Sequence, residues 1–217
     1  MATFKEGING PFKGKVGSVV GSSWRKVPYM KGMRKVRRNK AKPSEKQAVQ
    51  HAKFKLLNRF FMPIGPVLDI GFRAFISRAT GKNAAFSYNY DHAFVEGDDQ
   101  LTLNYPALKF SHGSLYTAGA EEAVATAEGI RIQWDPKTYG MGGAMDDVGY
   151  AIVYSVSSEL FISETALRHE GGVFVPFEEE TRGNEVHIYL FFADSQGKQV
   201  SRTEYLSLAT EKTQTEK

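Results

Sequence analysis

Apolar and polar residues change their period twice along the chain. The opening stretch Lys15-Val16-Gly17-Ser18-Val19-Val20-Gly21-Ser22-Ser23-Trp24 is punctuated by glycines, with Gly14 just ahead of it and Val27 and Tyr29 following on either side of Pro28. β-Branched residues set between glycines predict a β-hairpin or a pair of short strands. Proline carries no backbone donor, so the strand through Pro28 belongs at an edge or a bulge. A hairpin by itself is marginal in water and has to dock on something.

A helical period begins at Pro43-Ser44-Glu45-Lys46-Gln47, where Ser44 is placed to cap and Gln47 to close a capping box. Ala48, Ala52, Leu56 and Phe60 recur every fourth residue, and Val49, Leu57 and Phe61 widen the stripe. Pro63 and Pro66 end this helix and start a second, with Val67, Ile70, Ala74 and Phe75 on one face. A third short helix is expected from Asn83 to Val95, before Gly97-Asp98-Asp99. Three amphipathic helices have to bury their faces against each other or against a following sheet.

From Leu101 the alternation is that of strands. Ile130, Ile132 and Trp134 alternate with Arg131 and Gln133, and Tyr150, Ile152, Tyr154 and Val156 with Ala151, Val153 and Ser155. Val173, Val175 and Phe177 mark another strand. Val186, Ile188, Leu190 and Phe192 form the expected inward set, opposite His187, Tyr189, Phe191 and Ala193. Asp194-Ser195-Gln196-Gly197 reads as a hairpin turn, with Val200 to Tyr205 returning. Turn signals every ten to twenty residues or so predict an antiparallel sandwich rather than a βαβ fold. The polar tail 210–217 is expected to be disordered.

Composition narrows the options. The 217 residues are 41% apolar and 12% aromatic, enough for a real core. The longest uncharged stretches run to about eleven residues, short of the roughly twenty that a spanning helix needs. No secretory signal is readable at the start, which leads to the expectation of a cytoplasmic protein and leaves open a phage-derived structural role. With no cysteine, disulfides, thiolate catalysis and thiolate-ligated metals are excluded.

Charge changes the picture more. Residues 1–59 hold 16 Lys or Arg against two acids, a net +14, and the remainder is −10. The densest run, Lys31 to Lys42, repels itself unless it is an exposed arm or meets an anion. Such asymmetry points to an acidic partner or to an intramolecular docking of one half on the other. Arg34, Lys35, Arg37, Arg38, Lys40 and Lys42 are the candidate phosphate or polyanion contacts, with Trp24, and with Tyr29 and Phe12 nearby, to stack on bases. No helix-turn-helix, RNP or zinc-finger pattern accompanies them.

Other chemistry lacks its spacing. Gly17-Ser18 and Gly21-Ser22-Ser23 are not a Gly-x-Ser-x-Gly elbow. Gly10 to Lys15 is one residue short of a phosphate loop. Five single histidines (51, 92, 112, 169, 187) form no His-x-x-x-His pair, so no metal and no cofactor is expected. The acidic runs, such as Asp146-Asp147 and Glu178-Glu179-Glu180, read as solvated turns. Gly140-Met141-Gly142-Gly143-Ala144-Met145 is either a binding loop or a plain connection.

Two resemblances follow from these residues. Gly14 to Trp24, with Pro43 to Gln47, Lys53-Phe54, Asn83 to Asn89 and Ser111, Gly113 and Leu115, is similar to an uncharacterised protein family of Bacteroidetes, which implies no activity. Residues 105–208, with Trp134 in an early strand and Tyr189 in a late one, resemble a fibronectin type III or immunoglobulin-like sandwich. The glycine-rich Lys137–Asp147 segment departs from that pattern. The resemblance implies a recognition, spacer or adhesion module. The expected fold is therefore α+β: a basic hairpin and three short helices over 1–100, then an immunoglobulin-like antiparallel sandwich over 101–209. The expected function is a non-enzymatic interaction or structural protein. Its sandwich meets a protein or glycan and its basic segment an acidic partner, with nucleic-acid binding through residues 31–42 as the alternative. A hydrolase with a site invisible in sequence is the third reading.

Overall fold

The structure, a computed structural model, describes residues 3–4, 10–24, 27–33, 42–76, 79–96, 101–126, 128–176 and 185–209. Among these residues the class is α+β and mostly β, with three α-helices and several sheets that are almost wholly antiparallel. The chain divides into two compact units, residues 1–44 and 45–217. The expected boundary near residue 100 is not where they part. The helices share a hydrophobic cluster with one face of a C-terminal sheet and so belong to the same unit as that sheet.

The described residues of the N-terminal unit form a sheet of four strands in chain order: β1 (Thr3–Phe4), β2 (Phe12–Val16), β3 (Val19–Trp24) and β4 (Val27–Gly32). It extends the expected hairpin by two strands. Gly17, at φ +55°, makes the tight turn between β2 and β3. Gly21 lies under the Phe12 ring, where a Cβ would come within 2.6 Å of a ring carbon and closer still to the Phe12 carbonyl oxygen. Pro28 sits in β4, an edge strand, as its missing donor requires.

The second unit opens with α1 (Glu45–Phe61), directly after Ser44. Only the latter part of its expected stripe is buried: Leu57, Phe60 and Phe61, with Leu56 partly covered, whereas Ala48, Val49 and Ala52 are exposed. In α2 (Gly65–Gly71), Pro66 occupies the first turn. Here Leu68 and Phe72 are buried, while Ala74 and Phe75 face water. The helix stops at Gly71, and the 3-10 turn Arg73–Phe75 resets the phase that the expected face assumed.

Helix α3 (Gly81–Asn89) is capped by Thr80, whose hydroxyl accepts the Asn83 N–H at 3.2 Å. It ends six residues before Val95. The Asn89 amide donates to the Ala85 and Lys109 carbonyls at 2.8 Å, and its oxygen accepts the Lys109 N–H at 2.7 Å. Phe94 and Val95 then enter β5 (Phe94–Glu96), paired with β6 (Leu101–Leu103).

Among the described residues of this unit eight further strands follow: β7 (Glu122–Ala125), β8 (Gly129–Gln133), β9 (Val148–Ser155), β10 (Leu160–Leu167), β11 (Gly172–Pro176), β12 (Val186–Ala193), β13 (Glu204–Leu206) and β14 (Leu208–Ala209). They form two sheets, β10-β9-β12-β13 and β11-β8-β7-β14, antiparallel except for the β7–β14 pair. Register explains the layering. Ala151 faces Leu190 and Val153 faces Ile188, and this side joins Ile130, Ile132 and Val175 of the other sheet in one cluster. Ile152 faces Tyr189 and Tyr150 faces Phe191, and this side packs on Phe60, Phe61, Leu68 and Phe110. Sheet β10-β9-β12-β13 is thus the middle of three layers. The expected outward set His187, Tyr189, Phe191 and Ala193 is buried, because the helices supply the second cover. Phe177 and the tail 210–217 lie outside the described residues.

Candidate functional site

The basic arm singled out in the sequence falls mostly outside the described residues: Arg34, Lys35, Arg37, Arg38 and Lys40 are not among them. Lys42 is exposed just ahead of α1. Trp24 ends β3 and is 48% exposed.

The register of the N-terminal sheet sorts its remaining side chains onto two faces, since cross-strand partners share a face and neighbours along a strand alternate. Lys15 pairs with Val20, Val20 with Lys31, Ser22 with Tyr29 and Trp24 with Val27. Lys13, two residues before Lys15, falls on the same side. One face therefore carries three exposed lysines and two aromatic rings, Trp24 and Tyr29, the latter 43% exposed. The Lys31 ammonium lies 6.0 Å from the centre of the Tyr29 ring, at the edge of cation–π range. The other face carries Phe12, Val16, Val19, Pro28 and Met30, with Ser23 beside Pro28. Phe12, expected beside Trp24 and Tyr29 as a stacking ring, is on this second side. It borders a shallow open groove with Gly10, Pro11, Pro28, Tyr29 and Met30.

Sequence reasoning named Trp24 and Tyr29 but did not group Lys13, Lys15 and Lys31 with them. The signal was present as Lys13-x-Lys15 and Tyr29-x-Lys31, the period of two that places side chains on one face. What joins them is the pairing across strands, which neither dipeptide spacing contains. Residues 1–44 hold twelve Lys or Arg and one acid, Glu6, so the unit's field is strongly positive.

The second unit offers different chemistry. A cavity of about 170 Å³ is lined by Phe60, Tyr105, Tyr154 and Phe161, with the exposed Arg59–Glu159 ion pair at its rim. Burial raises the Tyr105 and Tyr154 phenols above their ordinary range, so both stay protonated and neutral at physiological pH. His187 is buried beside them, its ring stacked on Tyr105 at 4.1 Å between centres and its Nδ1 2.9 Å from the Tyr205 hydroxyl. Its Nε2 lies 3.5 Å from the Glu185 carboxylate. Burial lowers its pKa, against a smaller opposing pull from Glu185. The other histidines stand apart, and among the described residues no three His, Asp or Glu side chains gather as a metal site.

Arg168 was missed altogether. It is fully buried, its guanidinium bonded to Asp147 at 3.1 Å and to the Tyr116 carbonyl at 2.7 Å, and it lies 4.3 Å from the centre of the Phe192 ring. Asp147 also accepts the Ala144 N–H at 2.9 Å. The pair fastens the base of the glycine-rich loop, whose Tyr139, Met141 and Met145 are exposed.

Among the described residues no helix is long and apolar enough to cross a membrane. Neither curated proteins nor solved structures give a match to the chain. The model of a family of unknown function, DUF6266, matches residues 11–207, and the chain belongs to that family.

Proposed function

We propose that this is a non-enzymatic interaction protein in which the N-terminal sheet docks on an acidic partner and the two C-terminal sheets are a fibronectin III-like scaffold. The observation that carries the reading is the lysine face: Lys13, Lys15 and Lys31 share one side of a separately compact sheet with exposed aromatic rings. A structural strand buries its apolar residues, whereas exposed rings among like charges suit recognition.

Strand order supports the scaffold. With β7 to β13 lettered A to G, one sheet holds A, B and E and the other C, F and G, the partition of immunoglobulin-type sandwiches. The fourth strand, β10, lies beside β9 rather than β11, a departure from the constant-type arrangement. Trp134 packs edge-on against Phe192 between the sheets, its indole N–H donating to the Arg168 carbonyl at 2.9 Å. The loop braced by Arg168 and Asp147 is where this scaffold would meet a protein or glycan, because loops at the end of a rigid sandwich commonly carry binding.

The docking element is tested with the full chain against two polyanions, poly-L-glutamate and an oligothymidylate, across a salt series. The expected result is binding to at least one at low salt, weakening steeply as salt rises and abolished by the triple change Lys13→Glu, Lys15→Glu, Lys31→Glu. Absence of binding to both at low salt would sink the reading.

A further inference from the structure

We infer that the partner of the lysine face is a single-stranded nucleic acid, held by stacking on Trp24 and Tyr29 and by phosphate contacts from Lys13, Lys15 and Lys31. The inference rests on the reading of the N-terminal sheet as the docking element.

The argument is geometric. Trp24 pairs with Val27, and Tyr29 is two residues further along β4 on the same face, so the two rings are diagonal neighbours. Diagonal neighbours lie about 7–8 Å apart, which sets the two rings side by side on one face. Lys15 and Lys31 flank Val20 on the two adjacent strands. At about 4.8 Å per strand they stand roughly 10 Å apart, with the rings lying to one side of that row. A chain laid across this face meets cations and ring faces together.

An acidic peptide would use the lysines and leave the rings idle. A duplex would also use the lysines, but its base faces are already stacked and unavailable. Unpaired bases present a π-face whatever their identity, and aromatic side chains on an open sheet are a recurrent way to hold them. The opposite face, with Phe12, Pro28 and Met30, carries no lysine among the described residues and does not offer the same pairing of charge and ring.

The two tryptophans make the inference testable in the intact protein. Trp24 is 48% exposed and Trp134 is buried between the sheets, so quenching by an added oligonucleotide reports on Trp24. The full chain is titrated with an oligothymidylate of about twenty nucleotides, long enough for one small domain. A duplex of the same length and poly-L-glutamate are titrated in parallel. The oligothymidylate is expected to bind most tightly and to quench the fluorescence. Trp24→Phe should keep binding and abolish most of the quench, which guards against a Trp24→Ala variant that fails to fold. Tyr29→Ala should weaken binding about tenfold or more, as base stacking does elsewhere. Replacing the three lysines with Gln should flatten the slope of log K against log salt by about 2, at roughly 0.7 per contact on a single strand. Met30→Ser, on the opposite face, should change nothing.

Equal binding of poly-L-glutamate and oligothymidylate, without quenching and indifferent to Tyr29→Ala, overturns the nucleic-acid partner and leaves the acidic-partner reading standing. Tighter binding of the duplex without quenching overturns it in the same way. Failure of every polyanion to bind at low salt removes both.

Discussion

Strands β4 and β12 each carry a valine and a tyrosine and differ in how far their side chains are covered. Every residue of β4 is exposed, Val27, Tyr29 and Met30 included, the last at 69%. In β12 seven of eight residues are buried, and both faces are covered. A sheet between two layers spends its apolar side chains on packing, and they are then unavailable to a partner. A sheet with exposed strands relies on ladder hydrogen bonds and a few contacts such as Phe12 on Gly21. The buried apolar contacts are therefore concentrated in strands such as β12, while β4 leaves its side chains to solvent.

The comparison breaks first at Arg168. A fully buried guanidinium is tolerable only while Asp147, the Tyr116 carbonyl and the Phe192 ring compensate it. Arg168→Met leaves Asp147 buried without its cation, and removing one member of such a pair typically costs about 3–5 kcal/mol. Urea unfolding should show that loss. The double variant Arg168→Met, Asp147→Asn should recover a large part of it, because Asn still accepts the Ala144 N–H. A single variant as stable as the parent would mean that the pair is not the brace the geometry describes.

The legible parts of the fold were those set by local pattern. Ser44 before α1, the alternation through β8, β9 and β12, and the Asp194–Gly197 turn each follow from neighbouring residues, and the turn closes with the Gly197 N–H on the Asp194 carbonyl at 2.8 Å. Alternation in β12 could not show that both faces are covered, because His187 and Tyr189 have polar atoms that read as solvent-facing until Tyr205 is found against the His187 Nδ1 and the Tyr105 carbonyl against the Tyr189 hydroxyl. The extent of α3 was misread for a similar reason: Asn89 ends it through the Lys109 backbone, twenty residues away. At the candidate site the positive charge was plain in the composition. Its centre of interest moved from the arm to Lys13, Lys15 and Lys31 only when register put them beside Trp24.

A second way to sharpen the comparison is to damage the open sheet alone. Gly21→Ala forces a methyl group against the Phe12 ring and carbonyl, and a backbone oxygen has little freedom to retreat. Amides of β2 to β4 should lose hydrogen-exchange protection. Those of β9 and β12, whose ladder bonds all lie within the C-terminal unit, should keep theirs. Oligothymidylate binding should fall with the opening of the sheet. Unchanged protection in β2 to β4 would show that Phe12 does not need to sit on residue 21.

The smallest expected difference is in the response to acid. His187 is the buried histidine of β12, faced by the Tyr105 ring, the Tyr205 hydroxyl and the Glu185 carboxylate. Burial disfavours its imidazolium, so its folded pKa lies below the unfolded value of about 6.5. The unfolded chain then binds the proton more readily than the folded one. The stability contributed by the neutral ring is complete above about pH 6.5 and is lost as pH falls from there through the lower folded value. Residues 1–44 contain no histidine, so their sheet has no such group. Between about pH 7.5 and 5.5, the range in which histidine changes charge, exchange protection in β12 should decline more than that in β2 to β4, after correction for intrinsic exchange rates. His187→Gln should flatten the β12 response. Equal pH slopes in the parent and the variant would place the acid sensitivity in the carboxylates and remove His187 as its source.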